Sequence, residues 1–323
     1  MTSEGIITNC QLINIDEYDI GEVLVKRSYS IVYLASDKKT GKKVVIKAIN
    51  KDNVDKISHI SIIREINTSS INIPGIVRTI GYRLPLKEEE INNSDSKFND
   101  YIIVSEFMPN KNFDELNKTY LDTNGQQNEI NPTVRSKVIF GVAATMKKLH
   151  KMSIIHRDLK LSIILLDEKL EPQISHFGLA RFIANGDKLE MCVGTPICIA
   201  PELFMDEFED GTYGFPVDVY SYSILLYQIF SNRITFDDQR PIRSPQSYMR
   251  NISKGLRPKR PANIPDHYWE LIQNCWKQNP QERPTFEEIT EKLRDDKFAL
   301  HEFGLYTNMD ELHEYQERID PDE

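Results

Sequence analysis

The feature that most restricts how this chain can fold is a change of hydrophobic period about a third of the way along it. Early on, apolar residues fall in short β-branched runs, at residues 21–35, 43–49 and 101–107 (YIIVSEF), the pattern of buried or half-buried strands. A polar stretch ending in glycine, residues 37–41 (DKKTG), predicts a hairpin turn between the first two runs. Residues 57–66 carry apolar side chains at helical spacing, whereas residues 87–100 (KEEEINNSDSKFND) are polar without a period and read as a solvated loop. From about residue 112 the period becomes helical, with helices expected over 134–150, 217–230 and 266–277. A small sheet-rich region followed by a larger helical one predicts an α+β chain of two lobes with a cleft between them.

Composition narrows the class of function. The 323 residues allow two folding units at roughly 150 residues each. With 40% hydrophobic and 28% charged residues, the chain can build a core without staples and is neither disordered nor fibrous. Forty basic against 49 acidic residues leave a net charge of -9, so no nucleic acid or anionic membrane is expected as a broad partner. The four cysteines, Cys10, Cys192, Cys198 and Cys275, form no CxxC pair and suit a reducing compartment. The first residues show neither a basic start nor a long apolar run. The most apolar stretch, 222–230 (YSILLYQIF), is about half the ~20 residues of a membrane helix and reads as a core helix. A cytoplasmic location is expected.

Chemistry-bearing motifs lie in a fixed order. Residues 44–47 read VVIK, and Glu65 follows on the expected helix. Residues 155–167 read IHRDLKLSIILLD, 175–181 SHFGLAR and 194–202 GTPICIAPE; then come DVYSYS from Asp218, GLRP from Gly255, CW at 275–276 and RPTF from Arg283. In this order the set resembles the eukaryotic protein kinases, and its last members resemble the tyrosine-kinase-like group. The resemblance covers roughly residues 18–296. It implies a bilobal protein-kinase-like fold, with a small β-rich lobe over about 18–107 and a larger helical lobe over about 109–296. Residues 1–17 would then be an extension and 297–323 an acidic tail.

Kinase chemistry aligns a triphosphate, a hydroxyl and Mg²⁺, so the protein supplies position and charge. By resemblance, Lys47 would hold the α- and β-phosphates and Glu65 would hold Lys47. Asp158 would accept the hydroxyl proton or simply brace its loop, and Lys160 would steady the transferred phosphate. Glu106 and Met108 would offer backbone groups to adenine, between Leu24, Val32, Val45 and Leu165. Lys160 with Thr195 resembles the serine/threonine pattern. Glu202, Arg283 and Asp218 are expected to be structural.

The departures carry more weight. The family's metal-binding Asp-Phe-Gly is His176-Phe177-Gly178, and its metal-binding Asn is Ile163. Mg²⁺ wants hard oxygen ligands, so neither position serves and bound Mg²⁺ is not expected. A transition metal at His176 would lack a second ligand at Ile163. The three phosphate-loop glycines fall on Val25, Arg27 and Ser30, where side chains keep the backbone from the phosphates, and Val45 crowds the adenine roof. Arg27 offers an alternative cation. ATP binding is expected to be weak. Each lost metal contact costs ~3–4 kcal/mol by analogy with one transition-state donor, about 10²–10³ in rate. Without assuming additivity, a turnover of about 1–100 s⁻¹ falls on the order of 10⁴-fold.

Residues 179–194 (LARFIANGDKLEMCVG) hold no Ser, Thr or Tyr, so a phosphate switch through Arg157 has no acceptor there. His176 is expected to pack behind Phe177 or to titrate near neutrality. Ser105, before the hinge, leaves room behind the adenine position. In the tail, Leu312, Tyr315 and Ile319 share one helical face, to be covered by the large lobe or by a partner. The reading is a catalytically impaired kinase relative that acts by binding a protein, an active kinase or another signalling protein, as scaffold or allosteric regulator. Its rival is a slow serine/threonine kinase.

Overall fold

The structure, a computed structural model, describes residues 10–53, 56–85, 100–110, 112–126, 129–183, 194–204, 213–232 and 244–321. It divides into two compact units. The first comprises Met1–Asn72 with Ile76–Pro109, and the second Ile73–Gly75 with Asn110–Glu323.

The first unit is built on β1 (Gln11–Leu12), β2 (Tyr18–Lys26), β3 (Ser30–Asp37), β4 (Lys43–Ile49), β5 (Thr79–Arg83) and β6 (Tyr101–Glu106), with helix α1 (Lys56–Ser69). The strands form one sheet in the order β1-β5-β6-β4-β3-β2, antiparallel except for the β1–β5 pair. Strand alternation gives it two cores. Ile15, Ala35, Val44, Ile46, Ala48, Ile102 and Val104 fill one. Ile62 and Ile66 of α1 pack on Ile49, Tyr82 and Ile103 in the other.

One sequence expectation is corrected here. The run 21–35 is not one strand but parts of β2 and β3, which pair Lys26 with Ile31 across a turn where the Arg27 amide donates to the Ser30 carbonyl at 2.8 Å. Of the extension expected over residues 1–17, β1 pairs with β5 and Ile15 enters the core of the sheet. The 37–41 hairpin forms as expected: Gly41 has φ +69°, and the Asp37 carboxylate caps the amides of Lys39 and Thr40. Most of the 87–100 stretch lies outside the described residues.

The second unit contains α2 (Phe113–Asp122), α3 (Pro132–Lys151), α4 (Pro216–Phe230), α5 (Pro245–Ser253), α6 (Asp266–Cys275), α7 (Phe286–Leu293) and α8 (Met309–Ile319). Short strands β7 (Ile154–Ile155), β8 (Ile164–Leu166), β9 (Pro172–Ile174) and β10 (Arg181–Phe182) carry the site loops. β11 (His301–Glu302) and β12 (Leu305–Tyr306) form a tail hairpin. Helix α3 starts at an Asn131 cap with Pro132 in its first turn and is buried along most of its length. Helix α4 is the apolar stretch noted above, and it is core on every side except Gln228. No described helix is long and apolar enough to cross a membrane.

The tail folds back. Leu312, Tyr315 and Ile319 of α8 are buried in a contact with α3. Charges at its rim fix the register: Arg318 with Glu171 at 2.6 Å, Lys147 with Asp320 at 2.9 Å and Lys137 with Glu311 at 2.7 Å. The apolar face expected to need a cover finds it within its own unit.

Candidate functional site

In the first unit Lys47, Val45 and Val32 share one face of the sheet. Lys47 on β4 faces away from the Ile46–Ala48 core, and Val45 shares its face by strand alternation. Val32 lies directly across from Lys47 in β3. Helix α1 buries Ile62 and Ile66, which turns Glu65 toward the lysine, and the Lys47 Nζ reaches both carboxylate oxygens, at 2.7 and 3.0 Å. Both side chains are about four-fifths buried (20% and 18% exposed), so the pair is worth more than a surface ion pair. Leu24 on β2 is 41% exposed. Of the residues in the glycine positions, Val25 and Arg27 are exposed, while Ser30 is buried. Glu106 ends β6; its amide donates to the Arg78 carbonyl and its carboxylate accepts from Arg78 at 3.1 Å. Met108 follows, half-buried. Ser105 is registered against Val45 and Thr79, and the Thr79 hydroxyl pairs with that of Ser69 at 2.6 Å.

In the second unit a loop after β7 is fastened from below. The fully buried Asp218, in the first turn of α4, accepts the amides of His156 and Arg157, each at 2.8 Å, and the His150 Nε2 at 3.0 Å. Burial alone would raise the Asp218 carboxyl, but these bonds and the nearby imidazoles outweigh it and hold the pKa below the usual carboxylate value. Burial pushes the His156 imidazole down, favouring its neutral form. The two amide bonds keep Arg157 at φ +68°, a left-handed conformation that a side chain seldom adopts unaided.

Above that anchor, three side chains close a triangle. Lys160 Nζ reaches Asp158 Oδ2 at 2.7 Å and Thr195 Oγ1 at 2.6 Å, and Thr195 donates to Asp158 Oδ1 from its hydroxyl (2.6 Å) and its amide (2.8 Å). Gly194 precedes them at φ +112°, and a Cβ there would approach the Arg157 carbonyl oxygen to 2.5 Å. Arg157 donates from Nε to the Leu179 carbonyl at 2.7 Å and from Nη1 to the Tyr213 hydroxyl at 3.1 Å. Sequence reading missed Tyr213, since a tyrosine 56 residues from its partner forms no local motif. Leu165 lies on β8, half-buried, bridged to Asn112. The part of the switch segment at 184–193 lies outside the described residues.

The two expected metal positions have different fates. Ile163 is 3% exposed and part of the core, while its backbone carbonyl accepts the amide and hydroxyl of Ser175 at 3.1 and 2.7 Å. His176 is exposed, with φ 65° and ψ 63°, and the aromatic partner of the buried Phe177 is His156, at 5.1 Å. A packed hydrocarbon and one imidazole do not make the oxygen-rich octahedron that Mg²⁺ requires, so this ion does not fit. Cys198, near enough to Asp158 to feel its charge, is buried, and burial pushes its thiol up to about 12, which leaves it inert.

Comparison with known proteins supplies the context. A family model described as protein kinase domain matches residues 18–293. A probable serine/threonine-protein kinase of Dictyostelium discoideum is 31% identical over 293 residues, 89% of this chain and 20% of that protein. The RGS domain-containing serine/threonine-protein kinase A of the same organism is 39% identical over 168 residues, 52% of this chain and 14% of that protein. A serine/threonine-protein kinase of Arabidopsis thaliana is 32% identical over 194 residues, 60% of this chain and 31% of that protein. This chain therefore spans no more than 31% of the length of any of the three.

Proposed function

Since the chain belongs to the protein kinase family, we propose that it is a tyrosine-kinase-like member disabled for phosphotransfer. In this reading it acts by binding, as a scaffold or allosteric regulator of an active kinase or another signalling protein in the cytoplasm. The observation that carries this reading is the burial of Ile163 in the core at a position where the family presents a metal ligand. With His176 at the other metal position, no hard oxygen ligand remains at either. Mg²⁺ ordinarily neutralises the phosphate charge in this chemistry. The Lys47–Glu65 pair supports weak, metal-independent holding of ATP phosphates, with the hinge backbone at Glu106 and Met108 and the side chains of Leu24, Val32 and Val45 against the base.

A slow serine/threonine kinase is the second reading, and the Asp158–Lys160–Thr195 triangle favours it. In it Asp158 takes the hydroxyl proton and Lys160 steadies the phosphoryl group. Radiolabelled phosphotransfer with Mg²⁺ and with Mn²⁺, beside Asp158→Ala from the same preparation, separates the two. Equal backgrounds are expected. Labelling by the wild type alone overturns the disabled reading. Ile163→Asn with His176→Asp is expected to bring back Mg²⁺-dependent labelling if the rest of the site is sound.

A further inference from the structure

The segment after α5 forms a stiff basic ridge on the second unit. The chain leaves α5 through Lys254 and Gly255 (φ +82°), with the Gly255 amide on Ile252 O at 2.9 Å and the Leu256 amide on Asn251 O at 3.1 Å. Arg257 then turns inward and fastens the bend. Its Nε donates to Trp276 O at 2.8 Å, Nη1 to Ile252 O at 3.2 Å and Leu256 O at 2.9 Å, and Nη2 to Gln278 Oε1 at 2.8 Å. The guanidinium also lies over the Tyr220 ring at 5.5 Å. Pro258 is buried, and the Lys259 carbonyl accepts the Tyr227 hydroxyl at 2.8 Å. Buried groups thus hold this backbone at both ends.

What the bend presents outward is of one kind. Arg250, Lys254 and Lys259 are exposed, and Leu256 between them is 50% exposed. Lys277, half-buried, lies in the chain between Trp276 and Gln278, two of the residues that accept from Arg257. Among the described residues none of these four cations makes an ion pair. Arg260 is matched by Asp266 at 2.5 Å, the one carboxylate in the stretch 250–270 apart from Glu270, which holds Lys292. In a chain of net charge -9, a preorganised cluster of unmatched cations around an exposed leucine is the reverse of the molecule's average surface.

We propose that the ridge of Arg250, Lys254, Leu256, Lys259 and Lys277 docks an acidic segment of a protein partner, with an apolar residue of that segment on Leu256. A short segment meets the ridge alone. An anionic bilayer or a nucleic acid presents extended negative charge, which the net acidic body repels. The proposal rests on the reading that this protein acts by binding, and it assigns that binding to residues that belong neither to the Asp158–Lys160–Thr195 triangle nor to the Lys47–Glu65 pair.

The test uses the full chain and a fluorescein-labelled octapeptide, Glu-Glu-Asp-Leu-Phe-Glu-Asp-Glu, followed by anisotropy at low salt. Saturable binding is expected. It should weaken about tenfold in Lys254→Glu with Lys259→Glu. Leu256→Ser should also weaken it, as should salt at about 0.5 M. Lys169→Glu, on the turn between β8 and β9, should leave it unchanged. Parallel arms use phosphatidylserine vesicles and a single-stranded 20-mer DNA. No binding of the peptide, equal binding by the ridge variants, or capture of vesicles or DNA in preference to the peptide overturns the proposal. None of these outcomes touches the phosphotransfer result, which alone decides whether the kinase chemistry is lost.

Discussion

Asp218 shows how much one side chain contributes to the site. It is fully buried and satisfies two amides that would otherwise face the core unpaired. Its pKa is depressed in the folded protein, so its contribution is present above the unfolded carboxylate value of about 4 and is lost as pH falls through the lower folded value. Asp218→Asn is expected to cost about 2–3 kcal/mol at pH 7. That gap should begin to shrink below about pH 4, where the unfolded wild-type chain takes up its proton and the folded one does not yet do so. Urea midpoints at pH 7 and at pH ~3.5 check this; a gap that does not change with pH would show that ionisation contributes nothing. At this scale the sequence was legible wherever chemistry fixes residue type in a short window, as at Lys47 and Asp158. It was silent on Tyr213, whose link to Arg157 exists only through space. That link also gives Arg157 a neutral hydroxyl partner in a segment without a phosphate acceptor over residues 179–194.

Among the elements, the packing of α8 on α3 turns on Gly141. A glycine inside a helix ordinarily costs ~1 kcal/mol against alanine, so Gly141→Ala would stabilise an isolated α3. Here the added Cβ would collide with the Tyr315 hydroxyl and come within 2.7 Å of Pro172 Cγ, in a fully buried place. Overpacking wins, and the substitution is expected to destabilise by about 1–3 kcal/mol. The Tyr315 hydroxyl is buried with no hydrogen-bond partner, so Tyr315→Phe should be neutral or slightly stabilising and should partly rescue Gly141→Ala. Thermal unfolding of the two single variants and the double variant measures the coupling; strict additivity would refute the contact. Helices with a strong period were visible in the sequence, and α1, α3, α4 and α6 appear within a few residues of expectation. Turns were read only where glycine marked them. The bend at residues 27–29 has none, and the tail hairpin places Phe303 at φ +54° beside Gly304, a conformation that no propensity favours for phenylalanine.

For the whole molecule, the order of motifs pointed to the family, while the path of the chain between units was not readable. Nothing in the sequence marks Ile73–Gly75 as part of the second unit. There Gly75 lies at φ +90° against Thr145, its carbonyl accepts the Ile174 amide at 2.8 Å, and any Cβ would strike the threonine. The chain therefore enters the second unit, leaves it and enters again at Asn110, while β6, which follows residue 100, runs between β4 and β5 in the sheet of the first. A cut anywhere in 86–99 would leave each fragment owning part of both units. Two polypeptides, 1–90 and 95–323, are expected to reassemble when co-expressed and to copurify until denatured, since one lacks β6 of its sheet and the other lacks Ile73–Gly75, whereas a cut at 109–110 would leave the first unit whole on one piece. Failure of the first pair to copurify would refute the interlacing. If it holds, the pair is a natural split reporter: an intact second unit would register that two separately made halves had met.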